Sequence, residues 1–565
     1  MKRPITLLCL FAFALAHAQE PFPQVFKEKF PVKVEGRSSN KDITIVYGRH
    51  SKGVVAMSAV DGKILWEINF EKDFGIKEFD GYRNLEHSEV LVYYTKETKK
   101  APSEKVFVDA KTGKLLWRTT EFGTAGDFEK GMRSAYDREG NFLGDKGEGL
   151  KFYDIRTGQF AADVQASAAS EKDMLYFGSI TAGDLFIELS YEDKPRAASS
   201  GKRMSEVEVV ATNTATNKVA WRTTFEGNIV APVCWNGAFS GVWTGAPITD
   251  VILDWEVSSD QLFIYYDGIA ALDVKTGKLQ WQNTYDRSDL DFGLKITQVF
   301  NTACLPVLTD DALYYADLSE KENGIKKINR KTGALVWKSE ELKKSDIVPA
   351  MYLEDGRLIC QFGGVQVQQI YYDGNCRSKL EPIGNFGLRA YDAATGKEIW
   401  NTATNKKALS EDFNKMISNV LMANNIVYAH GNDLLLGVDA ATGAEKFATS
   451  IKDLKVGKPL GMTWLEADKT ILLRAEKGIV TIDANGGKVL ASTKIDAYYG
   501  EFEIGGNFFV WVGKAEDDTR EFVCIDLKSG KIIGLQKDTP YPDFAPDGSY
   551  FLKYDGETVY RFNVK

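Results

Sequence analysis

Apolar and polar residues alternate with a period of two along most of the chain. Runs such as Glu89–Tyr94, Leu262–Tyr266, Ile426–Tyr428, Ile471–Leu473 and Phe508–Val512 are rich in β-branched and aromatic side chains. Clusters of Asp, Asn, Thr and Gly bound these runs, so they predict short strands joined by tight turns. The helical period is nearly absent; Ser410–Ile417 is the one short candidate.

The strands come in a repeating unit. VVAMSAVDGKILW (Val54–Trp66), VFVDAKTGKLLW (Val106–Trp117), IAALDVKTGKLQW (Ile269–Trp281), IKKINRKTGALVW (Ile325–Trp337) and LRAYDAATGKEIW (Leu388–Trp400) share one pattern. Five weaker copies complete a set aligned on Gly62, Gly113, Gly158, Asn217, Gly277, Gly333, Gly396, Gly443, Gly487 and Gly530, spaced 43 to 63 residues apart. Four residues before each stands Asp, Asn or, once, Ser58. Such a side chain can bond the backbone ahead of it and open a turn, and glycine then supplies the positive φ that closes it. Asn217, the one replacement, is the residue type that best tolerates that conformation. Each unit is therefore a hairpin, and the strand pair upstream makes four strands per period, the size of one propeller blade.

Trp66, Trp117, Trp221, Trp281, Trp337 and Trp400 all stand four residues past the turn glycine. The pattern A-x-D-x-x-T-G-K-x-x-W resembles the tryptophan-docking motif of quinoprotein-type (PQQ-like) β-propellers, over nearly the whole chain. The resemblance implies an all-β propeller of about 8–10 four-stranded antiparallel blades, in one ring or split in two. In such a fold each indole packs over the next blade's turn and its N–H meets a backbone carbonyl. In motif, though not in lipidation, the chain also resembles the propeller subunit of the outer-membrane protein assembly machinery. Ala162, Phe447, Ala491 and Gly534 replace the tryptophan in the third, eighth, ninth and tenth copies, and docking of the last three should be looser or different. The tail strands Tyr550–Tyr554 and Val559–Val564 are expected to complete the blade begun by Ile43–Val46.

The termini and charge place the protein. Lys2 and Arg3, the apolar run Ile5–Leu15 and Ala16-His17-Ala18 read as a secretory signal over residues 1–18. The mature chain, 19–565, is then periplasmic or secreted. Cys9 leaves a lipoprotein as the rival, without the small residues a lipobox needs. Net charge is −9 with no basic run, which argues against nucleic acid as partner, and no segment is long enough to span a membrane as a helix. The five later cysteines are Cys234, Cys304, Cys360, Cys376 and Cys524. Cys360 and Cys376, sixteen apart across an apparent hairpin, are the candidate disulfide; burial of all five as small apolar residues is the other reading.

Catalysis has little to draw on. His50, His87 and His430 are scattered, without metal-ligand spacing, and no G-x-S-x-G or P-loop occurs. Quinoprotein dehydrogenases carry adjacent cysteines, and often a haem-attachment C-x-x-C-H; neither is present. A PQQ- and calcium-dependent dehydrogenase remains the alternative to a non-catalytic scaffold for protein–protein or ligand binding, with no catalytic, cofactor or metal residues and with protein partners expected in the cell envelope. Three excursions interrupt the repeat: Glu192–Ser205, polar throughout; Glu226–Trp255, with Trp235, Trp243 and Trp255; and Val365–Phe386, with Tyr371, Tyr372 and Cys376. Their aromatics are read either as blade core or as a partner or glycan contact.

Overall fold

The computed structural model describes residues 22–29, 45–50, 53–77, 79–85, 89–95, 104–120, 142–146, 149–154, 156–165, 174–192, 202–213, 216, 218–230, 254–266, 268–285, 297–300, 304–319, 322–343, 346–372, 375–403, 416, 418, 420–466, 468–495, 498–512, 521–537, 542–545 and 547–564. The signal-like residues 1–18, Cys9, His87, Asn217, Cys234, Trp235 and Trp243 lie outside them, as does Ser410–Ile417 apart from Met416.

The chain is an all-β propeller. Eleven antiparallel sheets follow one another along the described residues; nine have at least four strands, and in eight of these four consecutive strands form a meander. The first (Ile45–His50, Gly53–Ser58, Ile64–Asn69) and third (Phe142–Lys146, Gly149–Asp154, Phe160–Gln165) have three described strands each. The fifth shows the usual plan: Asp254–Ser258, Gln261–Tyr266, Gly268–Asp273 and Leu279–Thr284. Its second and third strands are buried on both faces except Asp273, while the fourth alternates in exposure. This is how a sheet sandwiched between neighbours must read.

Mixed apolar clusters join the first sheet to the second and then each sheet from the fourth through the eleventh to the next. Trp117 covers the turn of the third sheet, and Phe160–Gln165 touches Lys218–Val230 of the fourth. Val55, Met57 and Ala59 of the first sheet pack with Tyr550, Leu552 and Val559 of the last.

Three expectations need correction. Of the tail strands, Thr558–Asn563 pairs with Gln24–Lys29 on one side and Tyr550–Asp555 on the other, and neither pairs with Ile43–Val46. Ile45–His50 is instead held by Gly53–Ser58 in the first sheet, so the vacant edge is filled by the segment upstream of it. Val365–Phe386 is not a loop. It extends the hairpin of Arg357–Tyr372 and Asn375–Asp392, with an added strand, Thr297–Phe300.

That hairpin also separates the proposed disulfide pair. Cys360 faces Arg389 near its base, and Cys376 faces Tyr371 beside its tip. Eleven strand positions separate them, on the order of 35 Å at the usual rise per residue, against a limit of about 7 Å between bridged Cα atoms. The spacing of sixteen would pair them only if the turn fell midway. Cys360 is a buried thiol.

Helix is confined, among the described residues, to Phe70–Phe74 and a 3-10 turn at Lys452–Leu454. The first was not anticipated. Asn69 caps it by accepting from the Lys72 amide at 3.0 Å, and Gly75 ends it at φ 71°. Five residues are too few to show a hydrophobic period.

Candidate functional site

The recurring feature is the contact from each blade to the next turn. In the second sheet, Asp109 Oδ1 accepts from the backbone amides of Lys111 and Thr112 (3.1 and 2.8 Å) and from the Thr112 hydroxyl (2.8 Å). Asp273, Asn329, Asp392 and Asp439 make the same bonds to the threonine three residues on. Bonding from Thr276 holds the Asp273 carboxyl below its ordinary range, as Thr395 does for Asp392 and Ser529 for Asp526. Gly113, at φ +69°, has a second reason to be glycine: a Cβ there would lie 2.6 Å from Cδ2 of Trp66.

The indoles then donate to one carbonyl, that of the residue just after the turn Asp or Asn. Trp66 reaches Ala110 (3.2 Å), Trp221 reaches Val274 (2.8 Å), Trp281 reaches Arg330 (2.8 Å), Trp337 reaches Ala393 (3.1 Å) and Trp400 reaches Ala440 (3.1 Å). Trp117 stacks on Phe107 at 3.8 Å between centroids, and its ring lies where a Cβ on Gly158 would have to go. A buried aromatic with a single N–H is suited to fill a slot and satisfy an orphan carbonyl together.

In the eighth and ninth sheets, where tryptophan is missing, another residue of the same cross-strand row supplies the donor. Phe447 stands beside Gly437 and Tyr428, and the Tyr428 hydroxyl donates to Ala484 at 3.1 Å. Ala491 stands beside Thr481, whose hydroxyl donates to Leu527 at 2.7 Å. At the junction of last and first sheets Arg561 donates to Ala59 (3.4 Å) and Val60 (2.7 Å). Of the looser or different docking expected of the eighth and ninth copies, the difference is a change of donor. The motif pointed only to the glycine-plus-four position; the replacements lie on other strands, invisible until register is known.

A second bond was also missed. Six residues past the turn glycine position, Thr223, Asn283, Thr449 and Thr493 donate to the carbonyls of Gly277, Gly333, Gly487 and Gly530 at 2.5 to 2.9 Å. Arg330, 2% exposed, adds a local pin. It donates to Gln261 Oε1 (2.9 Å), Ser258 Oγ (3.1 Å) and the Thr309 carbonyl (3.3 Å), joining the fifth and sixth sheets.

The two faces of the ring differ. Each turn between third and fourth strands lies beside the turn between first and second strands of its own sheet. Val274 N bonds Asp260 O, Ala393 N bonds Gly356 O and Ala440 N bonds Asn425 O. Connections from second to third strand, and from one sheet to the next, leave from the opposite face. The strand ends that flank the longest interruptions lie there: Glu192 and Lys202, Val230 and Asp254, and Asn401 and Leu421. Ser205, which ended the first excursion, is buried within the strand Lys202–Asn213. Trp255 packs against the core of the fourth and fifth sheets, edge-on to Phe177 at 6.4 Å.

Reactive groups are dispersed. His430 is buried with Nδ1 3.1 Å from the Gly431 carbonyl, and burial lowers its pKa. Burial pushes the Cys360 thiol well up and the Cys524 thiol up to about 12. Among the described residues no three His, Cys, Asp or Glu side chains gather as a metal site, and no helix is long and apolar enough to cross a membrane.

Cyclic repetition, the turn chemistry and the docking bonds define a PQQ-like β-propeller. A sequence model of the family described as outer membrane protein assembly factor BamB matches residues 27–238 and 266–534, and the chain belongs to that family. Comparison with curated proteins finds no match. Among solved structures, BamB from Moraxella catarrhalis aligns at 13% identity over 82% of this chain and 98% of its own, with a TM-score of 0.28. Quinohemoprotein alcohol dehydrogenase ADHIIG from Pseudomonas putida HK5 aligns at 11% over 81% and 74%, TM-score 0.28. The computationally designed Ika8 protein aligns at 13% over 75% and 100%, TM-score 0.25.

Proposed function

We propose that this protein is an exported, non-catalytic propeller scaffold that binds a protein partner of the cell envelope through the face carrying the long connections. The observation that carries the reading is the family match over residues 27–238 and 266–534, to a family described as an assembly factor. The turn carboxylates are occupied in their own turns, and the turn face is built from short, internally bonded segments. Recognition therefore falls to the opposite face, where connection length is free to vary.

The test is photo-crosslinking in the native envelope from single positions on each face. Lys452 and Lys477 are exposed on the long-connection face, and Lys275 and Lys331 on the turn face. Crosslinks to an envelope protein from the first pair and not the second are expected. Crosslinks from the turn face alone would reverse the assignment, and none from any position would defeat the scaffold reading. Stoichiometric uptake of pyrroloquinoline quinone with calcium, accompanied by dye-coupled alcohol oxidation, would replace it with an enzyme.

A further inference from the structure

The tenth sheet ends in a different docking device. Its fourth strand carries Gly534 where earlier sheets carry tryptophan, phenylalanine or alanine, opposite Cys524. The space is filled from the other end of the chain. Phe22 is 4% exposed, and a Cβ on Gly534 would fall 2.6 Å from its Cδ1 and Cζ. Its ring meets Phe522 at 5.7 Å and Phe551 at 5.0 Å, within a cluster that also holds Phe509 and Phe562.

Two residues on, the same segment becomes the outer strand of the eleventh sheet. Gln24–Lys29 pairs with Thr558–Asn563, and the Asn563 amide donates to Pro23 at 3.0 Å. Within this strand only Phe26 is half-buried; the other five residues are exposed. Glu28 Cγ lies over the first turn, 2.6 Å from where a Gly62 Cβ would stand. One ion pair, Lys29 to Glu557 at 3.3 Å, is solvent-exposed and contributes little.

In sheets two to ten the fourth strand is tied to the third by a short connection. Gln24–Lys29 meets its partner from the far end of the sequence, so its docking bears a larger closure entropy with less buried surface to offset it. We propose that Phe22–Lys29 is a strap that closes the ring and opens as a unit while the other sheets stay folded, with Phe22 in the Gly534 slot as its catch. Opening frees the outer edge of Thr558–Asn563 at a single seam, and an exposed edge can pair with an extended chain.

Native-state hydrogen exchange on the full chain tests this. The amides of Gln24–Lys29 that bond Thr558–Asn563, and that of Asn563, should exchange together, well ahead of the ladder amides of Leu279–Thr284, the outer strand of the fifth sheet. Phe22→Ala should speed the strap set by roughly two to four orders of magnitude, the usual effect of emptying a buried phenylalanine site. It should leave the fifth sheet unchanged, and Phe22→Leu should recover most of the difference. Strap amides that exchange at the rate of the fifth sheet in the unaltered protein would overturn the proposal, whatever the variants do. So would a Phe22→Ala effect spread evenly over all sheets.

Discussion

Replacing Trp400 by phenylalanine isolates the docking bond. Trp400 is 8% exposed and its N–H is 3.1 Å from the carbonyl of Ala440, itself fully buried. Phenylalanine keeps the ring over Gly443 and deletes the donor. An unsatisfied buried carbonyl costs about 1–3 kcal/mol, and the volume lost with the pyrrole ring adds about 1 kcal/mol. The total of roughly 2–4 kcal/mol corresponds to about thirty- to several-hundred-fold faster exchange of the seventh- and eighth-sheet amides, where opening is local. The row in which Trp400 stands is completed by Ala390 and Ile359, neither able to donate. The next row is Tyr428, Gly437 and Phe447, where tyrosine donates instead. Ile359→Tyr with Ala390→Gly in the Trp400→Phe background rebuilds that row and should recover at least half of the loss. A change under threefold in Trp400→Phe, or no recovery in the triple variant, would refute the account of docking.

Further outcomes follow from the same geometry. Tyr428→Phe should destabilise the eighth and ninth sheets by about 1–3 kcal/mol in exchange experiments, since it strands the Ala484 carbonyl. Gly113→Ala should cost more than about 1 kcal/mol, because it meets both a positive φ and the Trp66 ring, and denaturant titration with a local probe would read it. The Asp273, Asp392 and Asp526 carboxyls are held below their ordinary value chiefly by side-chain hydrogen bonds. Their contribution is present above pH 4 and is lost as pH falls through the lowered folded-state values, so an acid melt should show destabilisation below pH 4 that Asp273→Asn reduces. Cys360 should resist alkylation in the native protein and react fully once unfolded. Non-reducing peptide mapping should find no Cys360–Cys376 bridge.

Most of the fold was legible because a propeller writes its plan locally. Asp273, Thr276, Gly277 and Trp281 lie within nine residues, so one hairpin's turn, register and docking side chain are visible in a short window. What lay between distant residues was not. The eleventh sheet has no turn of the repeat, because its outer strand comes from Gln24–Lys29, and counting turns misses it. Cys360 and Cys376 were read by spacing, but spacing does not locate a hairpin's tip. Tyr428, Thr481 and Arg561 carry no motif of their own; they matter because register puts them within reach of a carbonyl.

These replacements bear on what the recurring polar residues are for. If the Asp and Thr of each unit served a ligand, changing the docking residue would leave no reason to find a new donor for the carbonyl beside it. Yet Tyr428 from a second strand, and Thr481 and Arg561 from third strands, reach the equivalent backbone oxygen. What persists is the satisfied carbonyl, and the side chain that satisfies it varies. That is the mark of a structural demand, since a buried orphan carbonyl destabilises any seam whatever the ring binds. The repeat therefore explains the disc, and the Arg357–Asp392 hairpin is where the described strands depart most from it.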